Sequence, residues 1–177
     1  MGREEGFTLL ELMVVALVTT ILLTIGSVAL RHYWLVRALS GAQDQVATQL
    51  RGAQQQSMSE SHPWVFGARF QKGSSSWGVV RYNVTTGACS VVSSLSFDGN
   101  VVIVDDAQTD FPDVTGATTA CRNATPGASA NHEVVFFYAR GNSSASSTVG
   151  SVKLVQPTIN RTERVTVSPI TGRVTKL

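Results

Sequence analysis

An α+β fold is predicted for this chain: a long N-terminal α-helix, half membrane-spanning and half amphipathic, packed against a β-rich, sandwich-like head. Three observations predict it. From Phe7 to Leu30 the sequence is apolar, with Glu11 as its one charge. From Leu35 to Ala53, apolar residues recur at three- and four-residue steps. Beyond Pro63, short runs of β-branched and aromatic residues alternate with Gly, Ser, Thr and Asn.

The apolar run sets the first element. At about 1.5 Å per residue it is long enough to cross the hydrocarbon core of a bilayer. It is too long for the apolar region of an ordinary secretory signal, and no small-x-small cleavage site follows it. A plain signal anchor would satisfy those facts. Two details ask for more. The polar hexapeptide Met1-Gly2-Arg3-Glu4-Glu5-Gly6 ends in glycine directly before Phe7. Glu11 places a carboxylate where an unpaired charge is costly, so a functional partner is the default expectation. The α-amine of Phe7 on a neighbouring copy, freed by cleavage after Gly6, would be such a partner.

The run Gly6-Phe7-Thr8-Leu9-Leu10-Glu11-Leu12-Met13-Val14-Val15 closely resembles the class III signal of type IV prepilins and type II secretion pseudopilins. The resemblance implies cleavage after Gly6 by a prepilin peptidase, N-methylation of Phe7, and Glu11 as the carboxylate that guides assembly. It also implies other pilin or pseudopilin subunits, an inner-membrane assembly platform and membrane lipid as partners. On this reading the chain divides into a leader (1–6), a transmembrane and assembly helix (7–30), an amphipathic continuation (31–62) and a head (63–177). The head is expected outside the cytoplasm, first beside the inner membrane and then in a surface or periplasmic filament. One feature departs from the pattern. The leader sets Arg3 against Glu4 and Glu5, whereas Arg31 and Arg37 follow the span. Lys/Arg counting alone would place those arginines in the cytoplasm; the motif implies the reverse.

The amphipathic continuation carries Leu35, Leu39, Ala42, Val46, Leu50 and Ala53 on one face, with Gln43, Asp44, Gln45, Gln49, Arg51, Gln54, Gln55 and Gln56 between them. Gly26 and Gly41 weaken the helix locally, and Ser61-His62-Pro63 ends it. Strands are expected at Trp64–Phe70, Trp77–Tyr82, Val101–Val104, Val134–Tyr138, Val152–Val155, Arg164–Val167 and Arg173–Thr175. Residues 105–131, rich in Asp, Thr, Gly, Pro and Ala, read as a long loop around Cys121. The segments Val134–Gly141, Gly150–Leu154 and Arg164–Val174, closing on Thr171-Gly172-Arg173-Val174, are similar to the head of GspH/FimT-type minor pilins and pseudopilins. That similarity implies a subunit present in few copies near a filament tip.

Composition narrows the chemistry. A net charge of +2 over 177 residues makes the whole protein no electrostatic nucleic-acid binder, so any such role needs a local patch. Arg161, Arg164, Arg173 and Lys176 cluster near the C-terminus, with Lys153 upstream. They are candidate phosphate contacts for a DNA receptor of a transformation pilus, or else ordinary surface charge. Cys89 and Cys121 form no CxxC pair and have no histidine at ligand spacing, which argues against zinc. Outside the cytoplasm they would pair as a disulfide; two separate buried thiols is the other reading. His32, His62 and His132 are isolated, and no nucleophile setting is present, so no enzyme, metal or cofactor is expected. Asp105, Asp106, Asp110 and Asp113 offer the hard oxygens that calcium takes, but their spacing is not that of an EF-hand and reads as a solvated loop. The N-x-[ST] triplets beginning at Asn83, Asn123, Asn142 and Asn160 mark surface turns.

Overall fold

In the computed structural model, which describes residues 9–60, 62–104, 121, 132–144 and 150–177, the apolar run and the amphipathic stretch form one unbroken helix. This helix, α1, spans Leu9–Ser59 and passes through Gly26 and Gly41 without interruption. In its first half Thr19, Thr20 and Thr24 each return their hydroxyl to the carbonyl four residues back, at 2.7, 2.8 and 2.8 Å. Those polar groups are thereby satisfied within an apolar segment. This half is exposed, and it is long and apolar enough to cross a membrane.

The second half buries one face. Leu39, Ala42, Val46, Leu50 and Ala53 are covered, together with Ala47, Gln43 and Ser57. Leu35, expected on the same stripe, is only half-buried, because it lies one turn before Leu39, the first fully buried helix residue. The helix stops at Ser59, and the chain turns at His62, whose φ is 58°.

Eight strands follow: β1 Trp64–Gln71, β2 Ser76–Asn83, β3 Cys89–Ser96, β4 Val102–Val104, β5 His132–Phe137, β6 Gly150–Gln156, β7 Arg161–Val167 and β8 Val174–Lys176. They form two four-stranded sheets in the orders β3-β2-β1-β5 and β4-β6-β7-β8. Every pairing is antiparallel. The buried stripe of α1 joins both sheets in one cluster, with Phe66, Phe70, Trp77, Val135 and Phe137 from the first and Val152, Leu154, Val165, Val167 and Val174 from the second. Within it Trp77 stacks between Phe70 and Phe97 at centroid distances of 5.7 and 5.6 Å. Each such pair adds about 0.5–1.5 kcal/mol beyond the area it buries.

The first sheet is covered on both faces. Strand residues alternate in direction, so Val65, Val80, Val134 and Phe136 point away from the helix into a second cluster, where they meet Cys121. Seven strands fall where the residue pattern places them, with edges moved by one to three residues. The eighth, β3, has no clear signal: Cys89-Ser90-Val91-Val92-Ser93-Ser94-Leu95-Ser96 lacks clean alternation. It is an edge strand held by pairing to β2, with Val91 and Val92 exposed and a register shift at Val79/Val80. Of the stretch 105–131, Cys121 alone falls within the described residues; the four aspartates of the acidic cluster lie outside them.

Candidate assembly interface

Gly6 and Phe7 lie outside the described residues. Glu11 lies in the first turn of α1, on an exposed part of the helix. From there α1 carries any displacement at the N-terminus directly to the head, because the same helix is bolted to both sheets.

The bolts are polar as well as apolar. The Gln43 side-chain amide donates to the carbonyls of Arg164 and Leu177, at 2.9 and 3.0 Å. Gln54 donates to the carbonyls of Gly141 and Thr171, at 2.7 and 3.2 Å. Arg51 donates to the carbonyl of Val174 at 3.2 Å, and the amide of Phe66 donates to Ser57 Oγ at 2.7 Å. Gln43 and Gln54 follow Leu39 and Leu50 by four residues, which puts both on the flank of the buried stripe. There the Gln43 amide satisfies carbonyls at the end of the second sheet. The dense run of glutamines in place of charged residues is the signal in the sequence, since an amide can be buried at far smaller cost than an ion.

The closing Thr-Gly-Arg-Val segment has a physical reason for its glycine. Gly172 has φ 62°, and a Cβ there would collide with the Gly141 carbonyl and sit 2.6 Å from Gln54 Nε2. Gly172→Ala is therefore expected to cost about 2–3 kcal/mol through left-handed backbone strain and overpacking. Thermal unfolding of the full chain in detergent measures it; an unchanged midpoint would contradict the close approach.

The four C-terminal cations do not share one face. In register, Arg164 pairs with Lys153, and Lys176 pairs with Val165. Alternation then sets Arg164 and Lys153 on the face away from buried Val165, while Arg161 and Lys176 share the face of Val165. Lys176 is ion-paired with Asp44 on α1, and Arg161 lies 4.0 Å from Glu163. Arg173 is exposed in the turn before β8. A cleft of about 500 Å³ between α1 and β8 brings Arg173 and Lys176 together with Arg51, a residue that carries no such signal in the sequence. Elsewhere in the head, burial lowers the Arg69 guanidinium from its ordinary value, since desolvation disfavours the charge.

Cys89 and Cys121 are joined by a disulfide, with a Cα–Cα distance of 5.2 Å. His32 and His62 are exposed and far apart in sequence. Among the described residues no three His, Cys, Asp or Glu side chains come together as a metal-ligand set.

Residues 1–27 match the family model of the prokaryotic N-terminal methylation motif. No curated protein matches the chain. Among solved structures it is similar to the type IV minor pilin FimU of Pseudomonas aeruginosa (strain PAO1) in two crystal forms. In the P65 form the identity is 12%, with 78% of this chain and 92% of that chain covered and a TM-score of 0.47. In the P21 form the identity is again 12%, the coverage 78% and 87%, and the TM-score 0.48. The methylation motif is continuous with a membrane-length helix that is itself the spine of an antiparallel β head: this is a helix-anchored, α+β protein.

Proposed function

We propose that this chain is a minor subunit of a type IV pilus or of a related type II secretion pseudopilus. A prepilin peptidase cuts it after Gly6, Phe7 becomes the methylated N-terminus, and Glu11 sets its axial register against a neighbouring subunit. Before assembly it sits in the inner membrane with the head on the extracytoplasmic side, and an assembly platform lifts it into the filament. The observation that carries this reading is the methylation motif over residues 1–27, running directly into a helix that ends only at Ser59. Anchor, polymerisation helix and head spine are one rigid rod, so a pull on the N-terminus moves the displayed head.

Cleavage supplies the test. A residue without a side chain at position 6 leaves the peptidase room to approach the backbone. Gly6→Val is expected to accumulate as full-length precursor in the membrane, read by intact-mass analysis. A mutant that still begins at Phe7 would place the cut elsewhere.

A second reading, a DNA receptor in a transformation pilus, draws on the cleft where Arg51, Arg173 and Lys176 converge. Among the described residues no aromatic side chain lines it, so binding would be to phosphates, indifferent to sequence and steeply salt-dependent. Detergent-solubilised full chain titrated with short duplex DNA at two salt concentrations should lose binding as salt rises. Arg51→Ala with Arg173→Ala should reduce the log–log salt slope by about 0.9 for each phosphate no longer neutralised. Absence of binding by the wild type at low salt would end the receptor reading.

A further inference from the structure

The motif assigns no role to the two arginines that follow the span on its C-terminal side. Their setting in the helix provides one. Leu9 to Leu30 covers roughly 33 Å along the axis, the thickness of a hydrocarbon core. Arg31 is the first charge beyond it, and Arg37 lies roughly 9 Å further along. The head begins immediately above: Ala38 abuts Gly99, and Leu39 is the first fully buried helix residue. The segment from Arg31 to Arg37 therefore lies between hydrocarbon and head, at the depth of the lipid headgroups, a layer about 5–8 Å thick on each side.

The side chains there suit that layer. Tyr33 and Trp34 are 54% and 60% exposed, although large aromatics in a soluble head would be covered. Their rings meet edge to face at 6.3 Å, and Arg37 Nη1 donates to Tyr33 Oη at 3.4 Å. At about 100° per residue, Tyr33, Trp34 and Arg37 project opposite the stripe that packs on the sheets, and Arg31 projects from the other flank. The set thus covers roughly half the circumference of the helix, on the side away from the head. Amphipathic rings with one wet edge are the residues that settle at a membrane interface. Guanidinium groups beside them are donors matched to phosphate. Asp98, exposed in the loop that carries Gly99, is an opposing charge, and the two arginines outnumber it.

We infer that Arg31, Tyr33, Trp34 and Arg37 form a headgroup-binding girdle for anionic phospholipid in the leaflet beneath the head. The girdle holds the subunit at fixed depth before assembly and gathers anionic lipid around the helix. This rests on the reading of α1 as a membrane span, and the experiment separates the two. Full-length protein is reconstituted into phosphatidylcholine vesicles containing phosphatidylglycerol, with one or the other lipid brominated on its acyl chains. Trp34 is the tryptophan within reach of those chains; Trp64 and Trp77 lie beyond the helix, in the head.

Each cation near an anionic surface contributes about fivefold in affinity, so two cations set against one acid give a preference for phosphatidylglycerol of about fivefold at low salt. That preference is expected to fall toward unity in 1 M salt and in Arg31→Gln with Arg37→Gln. Trp34→Phe should remove the quenching altogether. Quenching by brominated phosphatidylcholine establishes the span whatever the lipid preference. Quenching that tracks bulk lipid composition in the wild type overturns the girdle and leaves the span intact. A preference that survives the double substitution assigns it to other residues and also overturns the girdle. Absence of quenching by either lipid removes Trp34 from the interface and overturns girdle and span together.

Discussion

Glu11→Val is expected to leave the chain in the membrane and out of the filament. A carboxylate in the apolar stretch disfavours insertion, by about 3 kcal/mol at a helix centre, so valine makes the span more comfortable in lipid. What is lost, on the proposed function, is the partner for a neighbour's Phe7 amine. In a low-dielectric surrounding that ion pair is strong and acts only over a short distance along the axis. Membrane fractionation and intact mass should be those of the wild type. Sheared filaments should contain at least tenfold less of the variant. Glu11→Gln, polar but uncharged, should fail in the same way if charge is the requirement. Incorporation of Glu11→Val at the wild-type level would remove Glu11 from the mechanism.

Breaking the disulfide is expected to be the most damaging change within the head. Cys89 and Cys121 are 32 residues apart in sequence, and a closed loop of that length is worth about 3–4 kcal/mol in the chain-entropy model. The bridge also anchors Cys121, fully buried, in the cluster that covers the outer face of the first sheet. Its partner Cys89 opens β3, an edge strand with few covered side chains of its own. Reduction, or Cys89→Ser with Cys121→Ser, should lower the denaturant midpoint of the full chain in detergent by an amount equivalent to those 3–4 kcal/mol. β3 should lose amide protection first. An identical midpoint with and without reductant would show that packing alone holds this side of the head. Free thiols in the denatured, unreduced protein would rule the bridge out.

How far the residues alone reach differs from element to element. The helix was legible along its whole length because two independent periodicities, continuous apolarity and then a three-to-four repeat, run into each other without a breaker before Pro63. Seven strands were legible because Val, Ile, Phe, Tyr and Trp cluster between glycines and turn residues. β3 was not, because Ser90, Ser93, Ser94 and Ser96 carry no preference that identifies a strand. Its conformation comes from hydrogen bonds to β2, a partner that local sequence cannot name.

The same division runs through the functional residues. The motif from Gly6 to Glu11 is local chemistry. Peptidase recognition, methylation and a charge placed in an apolar helix depend on neighbours in sequence, so the order of residues is enough to expect them. The cationic C-terminus is different. Arg161, Arg164, Arg173 and Lys176 cluster in the sequence, and which of them share a face depends on strand register. The β6–β7–β8 register sends them to two faces and a turn, pairs Lys176 with Asp44, and brings in Arg51 from more than a hundred residues away. Likewise the helical spacing puts Gln43 and Gln54 beside the apolar stripe, but it does not say that the carbonyls of Arg164, Leu177, Gly141 and Thr171 would meet them. Periodicity reports which way a side chain points relative to its own helix or strand. Which group waits on the other side is decided by packing between segments distant in the chain, and that information exists only once the fold is complete.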